Sequence, residues 1–518
     1  MKARIVRVPH PRALARIDCP QPLPAKIGDA EEGPMITMLG SPRLTCDGVT
    51  RRETLRAGAL SLLGGFFNLP SLLAMEQAGP TQARRPRAKN VLLLYLQGGP
   101  ATQDMFDLKP DAPAGIRTEF KPIATNVPGI TVCEHLPRMA RWMHKAVVVR
   151  SVYHKGGCHN NLPMYTGYDV PPPDDSPRDT DPPSMGSVYL YHEQQILGKK
   201  PGELPSYVYL PCPLGWGEAR RKPGPGGGFL GHRYDPVCTQ CTAYIDRPMQ
   251  TSDDMQVVRG EPVFKDLDLP DDMTLDRLSG RNNLLQQFDD RLRGAEPLPA
   301  QKRYTGTRKL AFDLLTSARV REAFDLSREP DRLRERYGRS LFGSSALLGR
   351  RLLERGVRFV NVSWDNFRER FRFPPSNQVW DTHERNFPIL RDNHLPNLDQ
   401  TYTALMEDLE TRGLLDETLV VMMGEMGRTP KLNANGGRDH WTFCYPVILA
   451  GAGVRGGSVY GASDAHAAYI KDRPVHIRDI CATIYHCLGI DPAMMVYDHG
   501  NRPIPIAHGG QPLNEVLT

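Results

Sequence analysis

Carboxylate and imidazole side chains, the residue types that bind divalent metal ions, recur after apolar segments of this sequence. Several carboxylates gathered at one place repel one another, and burying them unpaired is costly unless a cation lies among them. If the fold brings these side chains together, they predict a divalent metal site. The candidate ligands are Asp104, Asp381, His383, Glu425, Asp439 and His440.

Each candidate ligand also has a local interpretation that needs no metal. The segment 381–383 could cap a helix N-terminus, and Asp104 could cap the turn after the GGP sequence. Glu425 could form a structural salt bridge with Arg428. The segment 439–440 could lie in an exposed loop, because it follows the turn-forming sequence NGG.

The elements that would position these residues are apolar runs typical of buried parallel strands. A helical pattern occupies 397–412, and Gly413 follows its end. Strands that alternate with helices predict an α/β fold with a mostly parallel sheet and helices on both faces. Ligands bind at the carboxyl edge of such a sheet, where the candidate side chains would meet. The apolar runs lie at 91–97, 146–152, 357–364, 418–424 and 445–451.

Shifts in composition indicate the domain organisation. Residues 1–37 are rich in Arg and Pro without periodicity, so we expect disorder there, or an over-extended start of the reading frame. Residues 38–79 are predicted to be a twin-arginine signal peptide with its cleavage region. Residues 80–518 are predicted to form the α/β domain. An insertion at about 168–300 is punctuated by Pro and Gly, and is predicted to cap the sheet rather than extend it.

The signal prediction rests on Arg51 and Arg52, which precede an apolar stretch and then small residues. A transmembrane anchor is the alternative, but Asn68 and Pro70 interrupt a run that is already short for a bilayer. We therefore expect the twin-arginine export machinery to be a partner. The protein would work in the periplasm or at the cell surface of a bacterium, with no stable membrane span in its mature form.

The formal net charge of +6 does not indicate nucleic-acid binding. Residues 1–56 carry 10 Lys and Arg against 6 Asp and Glu, so the rest of the 518-residue chain is close to neutral. A nucleic-acid-binding surface needs a concentrated basic patch, and the sequence has none. Nucleic acid is therefore not an expected partner.

Long motifs give the sequence a resemblance to a known family. The motifs are QGGPATQDMFDLKP, EFKPIATNVPGITVCEHLPRMA, VRSVYHKGGCH, MYTG, WDTHERNF, RGLLDETLVVMMGEMGRTPKLNANGGRDHW and DICATIYHCLGID. Over about 90–515 the chain resembles the family known as domain of unknown function 1501, which is similar to the sulfatase and alkaline phosphatase superfamily. The resemblance implies an alkaline-phosphatase-like three-layer α/β sandwich, with a metal site at the strand ends.

The resemblance also bears on single residues. It implies that Asp104 is the acidic ligand after the first strand, with Asp107 the less favoured choice. Glu425 stands where the superfamily usually has an Asp-His pair, so the metal stays open among Zn, Mn, Ca and Mg. Gly157 occupies the position of the sulfatase nucleophile, and Cys158 lies one place off without the usual Pro and Arg. A formylglycine sulfatase is therefore not expected.

Because the sulfatase nucleophile is missing, we expect that, if the protein is an enzyme, a water activated by the metal attacks a phosphate or sulfate ester. His159 or His154 would act as acid or base. Arg428 and Lys155 would bind the anionic ester. Cys158 is the alternative nucleophile, although a free cysteine more often only packs. The expected substrate is a small-molecule or polysaccharide ester.

Two other functions fit the same sequence. A non-catalytic member of the fold could keep the metal for stability or for carbohydrate binding, and the missing nucleophile favours this alternative. A third hypothesis is an isomerase or mutase that acts on sugar phosphates. Export to a compartment poor in such metabolites argues against it.

Overall fold

The computed structural model describes residues 85–172, 174–248, 255–264, 273–292, 312, 315–372 and 379–518. The predicted disordered segment 1–37 and the predicted signal peptide 38–79 lie outside the described residues. Within the described part of the chain, none of the helices combines the length and the apolar character needed to cross a membrane.

Short strands run through the described chain. In chain order they are β1 (Asn90–Leu96), β2 (Pro122–Ala124), β3 (Thr131–Cys133), β4 (Ala146–Tyr153), β5 (Tyr207–Leu210), β6 (Val237–Cys238), β7 (Gln240–Cys241), β8 (Pro262–Val263), β9 (Phe359–Trp364), β10 (Thr418–Met423), β11 (Gly427–Leu432), β12 (Arg438–Trp441), β13 (Tyr445–Gly451), β14 (Ser458–Tyr460), β15 (Ala462–Ser463), β16 (Ile470–Asp472), β17 (Val475–His476), β18 (Met495–Tyr497) and β19 (Pro503–Pro505). The apolar runs predicted as strands are β1, β4, β9, β10 and β13.

Helices lie between these strands. Those described are Thr102–Met105, Leu162–Thr166, Met185–Tyr191, Leu275–Leu292, Ala318–Phe324, Asp331–Arg336, Leu341–Glu354, Arg368–Phe371, Asn386–Ile389, Leu395–Thr411 and Ile477–Cys487. The helix predicted at 397–412 is Leu395–Thr411. Gly413 follows it with a φ of 68°, and donates to the Glu410 carbonyl as a left-handed terminating residue does.

The central sheet has the strand order β14-β4-β13-β10-β1-β9-β5-β6, with β17 paired to β4 beside this path. Strand β13 runs antiparallel to both of its neighbours, β10 and β4. The other pairs in the sheet are parallel. The predicted α/β fold with a mostly parallel sheet is therefore confirmed.

The segment 168–300 does more than cap the sheet. Strands β5 and β6 lie within it, and β5 pairs in parallel with β9 while β6 pairs with β5. The prediction that this segment does not extend the sheet is therefore wrong. Strand β5 has only four residues, all buried, and such a short apolar run does not stand out between Pro- and Gly-rich loops.

Helices cover both faces of the sheet. Alternate residues of β1 point to opposite faces, as the pleat of a strand requires. Leu92 and Leu94 belong to a core shared with helices Leu341–Glu354 and Leu395–Thr411. Val91 and Leu93 belong to a second core, shared with helix Ile477–Cys487. The result is the expected three-layer sandwich.

The carboxyl ends of β1, β4, β9 and β10 meet at one edge of the sheet, because these strands point the same way. Antiparallel β13 begins at that edge, so the hairpin of β11 and β12 just before it also lies there. The loop after β9 is tied to this edge by a hydrogen bond from the Trp380 backbone nitrogen to the Gln97 carbonyl (2.8 Å). Loops remote in sequence therefore converge on one site.

His394 fixes the other side of that loop. Its ring is buried, packs against Trp364 and Trp380, and donates from Nε2 to the Val379 carbonyl (2.9 Å). Burial lowers the pKa of His394 to about 4, although the hydrogen bond to Val379 opposes the shift. The imidazole is therefore neutral in the folded protein at neutral pH.

We expect stability to fall in acid because of His394. An unfolded histidine has a pKa of about 6.5, so below that pH the unfolded chain binds a proton that the folded chain excludes. The stabilisation is complete above pH 6.5 and is lost as pH falls toward 4, by about 3 kcal/mol at pH 4. Urea unfolding at pH 7 and at pH 4 measures this loss of stability.

The control for this prediction is His394→Gln, whose amide can still donate to the Val379 carbonyl but does not titrate. The variant should lose less stability than the wild type between pH 7 and pH 4. Equal losses in the two proteins would show that His394 does not carry the effect.

Candidate metal centre

Four side chains bring their metal-binding atoms together at the carboxyl edge of the sheet. They are His159, Asp381, His383 and His440, with donor atoms that all lie within 4.8 Å of one another. The Asp381 carboxylate is at the centre: its Oδ1 lies 3.1 Å from Nε2 of His383 and 3.1 Å from Nε2 of His440. Its Oδ2 lies 3.3 Å from Nε2 of His159.

The spacings around Asp381 are close to those of ligands around a single ion. Donors about 2.0–2.1 Å from a tetrahedral zinc ion lie about 3.3 Å apart. The two imidazole nitrogens of His383 and His440 are 2.8 Å apart, and each is 3.1 Å from Asp381. Three nitrogens and one carboxylate oxygen form a donor set that suits Zn²⁺ or Mn²⁺ better than Ca²⁺ or Mg²⁺, which prefer oxygen.

Two further carboxylates hold the histidines from behind. Nδ1 of His383 donates to Asp439 (2.9 Å), and Nδ1 of His159 donates to Glu425 (3.2 Å). A carboxylate on Nδ1 fixes the tautomer that leaves Nε2 free to bind an ion. Asp439 and Glu425, both predicted as ligands, thus contact histidines of the cluster and are not members of it. His159, predicted as an acid or base, is one of the four clustered residues.

Glu425 is a buried carboxylate whose oxygens are fully engaged. It accepts from the Gly98 backbone nitrogen (2.9 and 3.0 Å) and from the Tyr95 hydroxyl (2.9 Å), besides His159. Gly98 makes this possible because its φ is 106°, and a Cβ there would lie 2.5 Å from the Asp381 backbone nitrogen. These nearby hydrogen-bond donors therefore stabilise the negative charge of Glu425, which follows β10.

Arg428 is buried and does not face solvent. Its Nε donates to the Gly99 carbonyl (3.0 Å), and its terminal nitrogens contact the Gly98 and Arg438 carbonyls, Asp381 Oδ1 and His383. The contacts to Gly99, Gly98, Arg438 and Asp381 use four of the five N–H donors of the guanidinium. The prediction that Arg428 binds an ester is therefore not supported, because Arg428 instead holds Asp381 against the glycine turn.

The hairpin of β11 and β12 sets the register of the cluster, with Arg428 opposite His440. The chain around His383 passes so close to this hairpin that a Cβ at Gly437 would lie 1.9 Å from the His383 carbonyl carbon. The Arg438 backbone nitrogen also donates to the Thr382 carbonyl (2.9 Å). The turn sequence NGG is thus needed to let the 381–383 loop approach.

The charges of the cluster shift the pKa values of its members. Burial raises the pKa of Asp381, but hydrogen bonds from the three imidazoles and the Arg428 charge hold it well below its usual range. Burial lowers the pKa of His159, but the Asp381 and Glu425 carboxylates outweigh this and raise it to about 9. An ion entering the cluster at neutral pH would therefore displace a proton from His159.

The other two histidines differ from each other. The hydrogen bond to Asp381 raises the pKa of His383, against burial and with help from Asp439. Burial lowers the pKa of His440, and the neighbouring His159 and Arg428 charges lower it further. His440 is therefore neutral at neutral pH, and an ion at this position would meet an uncharged imidazole.

Asp104 does not belong to this cluster. Both of its oxygens accept from Arg438 (2.8 and 2.9 Å), and Oδ2 also accepts from Asn386 (2.9 Å). Asp104 and Arg438 are fully buried, so the pair is a structural ion pair. Asp107, the less favoured choice, instead pairs with Lys109 (3.0 Å). The prediction of Asp104 as a metal ligand is therefore not supported.

The remaining predicted residues lie in the loop after β4. His154 is buried, with Nε2 2.6 Å from the Glu425 carbonyl oxygen and Nδ1 accepting from the Gly156 nitrogen (3.1 Å), so neither nitrogen is free for acid–base work. Lys155 and Cys158 are exposed. Burial raises the pKa of the Cys158 thiol, and the Arg428 charge opposes the shift, which leaves the thiol protonated at neutral pH.

Two contributors were not singled out from the sequence. Tyr95 lies inside β1 and was indistinguishable from a core aromatic, yet its hydroxyl donates to Glu425 (2.9 Å). Arg438 sits in the turn motif, and its buried partner Asp104 lies more than 300 residues away. In the sequence, the GGP motif could have indicated the turn that binds the Glu425 carboxylate, because consecutive glycines after a strand favour backbone N–H groups that face an anion.

A model of the family described as Protein of unknown function (DUF1501) matches residues 88–517. No protein with a curated description matches the sequence.

Solved structures similar to the chain include the PsFucS1 sulfatase from Pseudoalteromonas sp., at 12% identity and a TM-score of 0.33, over 80% of this chain and 70% of that one. The structure of Ps i-CgsB is 10% identical, with a TM-score of 0.35, over 83% and 75%. The phosphonate monoester hydrolase SpPMH from Silicibacter pomeroyi is 14% identical, with a TM-score of 0.21, over 38% and 45%.

The first prediction from this geometry concerns metal affinity. Asp439→Ala should weaken Zn²⁺ binding about 10–100-fold, because it removes the carboxylate that orients His383. Competition with a chromophoric chelator measures the affinity. The matched control is His232→Ala, which breaks another His-Asp pair (2.8 Å to Asp235) at a residue that is 81% exposed and outside the cluster. Equal affinities for both variants would contradict the assignment.

The second prediction separates Asp104 from the centre. Asp104→Asn should destabilise the fold by about 3–5 kcal/mol, because it leaves Arg438 as a buried charge without its counterion. The metal content per folded molecule should stay unchanged. Urea unfolding and elemental analysis of the folded fraction measure the two quantities. A stable variant that has lost its metal would return Asp104 to the ligand set.

Proposed function

The chain belongs to the family described as Protein of unknown function (DUF1501), and from the geometry of its centre we propose that it is an exported metal-dependent hydrolase acting on phosphate or sulfate esters. The observation that carries this proposal is the cluster of His159, Asp381, His383 and His440. When bound there, a divalent ion would supply Lewis-acid polarisation of the ester and a lowered pKa for water.

The residues of the chain prepare the centre for that ion. Glu425 and Asp439 accept the Nδ1 protons of His159 and His383, so that both rings present Nε2 to the cluster. Arg428 fixes the Asp381 carboxylate in place through Oδ1. Such preorganisation lowers the cost of assembling the ligands when the ion binds.

A water molecule is the proposed nucleophile, because the protein nucleophile available nearby is poor. Cys158 is exposed next to His159, but its raised pKa keeps it a thiol, and the thiolate is the reactive form. Lys155 is exposed in the same loop, and we assign it to the anionic oxygens of the ester. His159 holds a proton at Nε2 until an ion replaces it, so we do not assign it as the base.

A second candidate function is favoured because two polar side chains near the cluster are not available to a substrate. Arg428 and His154 both form hydrogen bonds within the protein. With neither residue free for the ester or for proton transfer, a member of the fold that binds a metal or a carbohydrate without turnover is the alternative. It would keep the same cluster and the same metal affinity.

Export is part of the proposal because of the twin-arginine motif in 38–79. The twin-arginine route carries folded proteins, so the centre could be filled before the protein leaves the cytoplasm. The proposed location is the periplasm or the cell surface, and the proposed partner is the twin-arginine export machinery.

The test is turnover of aryl phosphate and aryl sulfate esters with Zn²⁺, Mn²⁺, Ca²⁺ or Mg²⁺ added singly. We expect metal-dependent hydrolysis that His383→Ala reduces about 100-fold or more, since a catalytic ion supplies several kcal/mol of transition-state stabilisation. Lys155→Met should raise KM and leave kcat nearly unchanged, because it removes binding rather than chemistry.

The control for turnover is His232→Ala, which should retain full activity. Metal binding by the wild type without hydrolysis of any ester in the panel would favour the non-catalytic function. Hydrolysis that persists in His383→Ala and without added metal would overturn the assignment of the centre.

A further inference from the structure

Three aromatic side chains form an exposed cluster beside the candidate centre. Trp441 packs against Phe443 (ring centroids 5.1 Å apart) and Tyr469 (5.3 Å), and the rings of Phe443 and Tyr469 are 6.0 Å apart. Phe443 is 44% exposed and Tyr469 is 54% exposed. We call these three residues the aromatic platform. Single exposed apolar residues are common, but contiguous ones mark binding surfaces.

The platform is held rigidly. Trp441 Nε1 donates to the Ala468 carbonyl (2.6 Å). The Asp464 carboxylate accepts from the Ala468 (2.9 Å) and Tyr469 (3.2 Å) backbone nitrogens, and the Asp464 nitrogen donates to the Tyr469 carbonyl (2.8 Å). A surface ordered in advance loses little entropy when a ligand binds. These hydrogen bonds hold the Trp441 ring and the backbone that carries the Tyr469 ring in place.

The platform shares strand β12 with the metal cluster. Alternate residues of a strand lie on one face, so Trp441 lies on the face of Asp439, whose carboxylate contacts His383, and not on the face of His440. His159, another member of the cluster, packs its ring against that of His440 (4.3 Å between centroids). Thr442, between Trp441 and Phe443, accepts from the His154 backbone nitrogen (3.0 Å). A molecule whose ester reaches the cluster would meet these rings by extending along the Asp439 face of β12.

The size of the exposed surface limits what can cover it. With about 200 Å² per aromatic side chain, the exposed parts of Phe443 and Tyr469 amount to roughly 200 Å². A protein partner or a second copy of the chain would bury about 800 Å² per side. One face of a single ring of a ligand fits the area.

We propose that the aromatic platform is a saccharide subsite, which binds a sugar unit next to the one that carries the ester. A pyranose ring presents a face of C–H bonds, and this face stacks on aromatic rings, whose faces are electron-rich. Its hydroxyl groups remain at the ring edge, within reach of water and of the Tyr469 hydroxyl. The inference rests on the proposed function for its orientation, and makes the substrate an ester-bearing oligo- or polysaccharide.

Affinity gel electrophoresis of the full chain tests the subsite without any turnover. The gels contain dextran, laminarin, chondroitin sulfate or dextran sulfate, one at a time. At least one polysaccharide should retard the wild type. Phe443→Ala and Tyr469→Ala should each weaken that binding about tenfold, whereas Tyr497→Ala should not. Tyr497 is a matched control, because it is 56% exposed and lies on β18, outside the platform.

The possible outcomes separate this inference from the proposed function. Retardation that is lost in the platform variants but kept in His383→Ala supports the subsite, even if no ester is hydrolysed. No retardation by any of the four polysaccharides, or equal retardation of wild type and platform variants, overturns it. Sedimentation that shows a wild-type dimer and monomeric platform variants would also overturn it, by assigning the rings to self-association.

Discussion

The charge of Asp381 is the constraint on which the site depends. Three imidazoles and one guanidinium converge on this carboxylate at the edge of the sheet. So many ionisable groups in a partly desolvated space are stable only when each charge has a partner. Hydrogen bonds to Asp381 provide this compensation in the protein alone, and they place the nitrogens as a cation would require.

The surrounding fold is built to deliver that carboxylate. Consecutive glycines after β1 let the backbone approach Asp381, and the same turn gives Glu425 its backbone donor. Arg428 then ties the turn to the carboxylate from the hairpin that follows β10. That hairpin lies at the carboxyl edge because it joins the end of β10 to the start of antiparallel β13, and it carries His440 and Trp441.

Continuous apolar runs were sufficient to predict five strands of the central sheet, and helical periodicity was sufficient to predict the helix Leu395–Thr411. The short strands β5, β6, β14 and β17 of the same sheet were not predicted. Convergence of the site followed from the rule that ligands bind at the carboxyl ends of parallel strands. The same rule did not predict which residues would bind the ion and which would hydrogen-bond to those ligands. Glu425 and His159 are hydrogen-bonded neighbours, and only three-dimensional geometry decides which one faces the ion. Asp104 was misplaced because its partner Arg438 is remote in sequence.

In the proposed centre, three imidazoles and one carboxylate share a single ion. Metal K-edge X-ray absorption of the purified protein tests this most directly, once elemental analysis has identified the ion. For zinc, we expect a shell of nitrogen and oxygen at about 2.0–2.1 Å, with the outer scattering of imidazole rings, that disappears in Asp381→Ala. A sulfur shell at about 2.3 Å, or a spectrum without imidazole scattering, would contradict it.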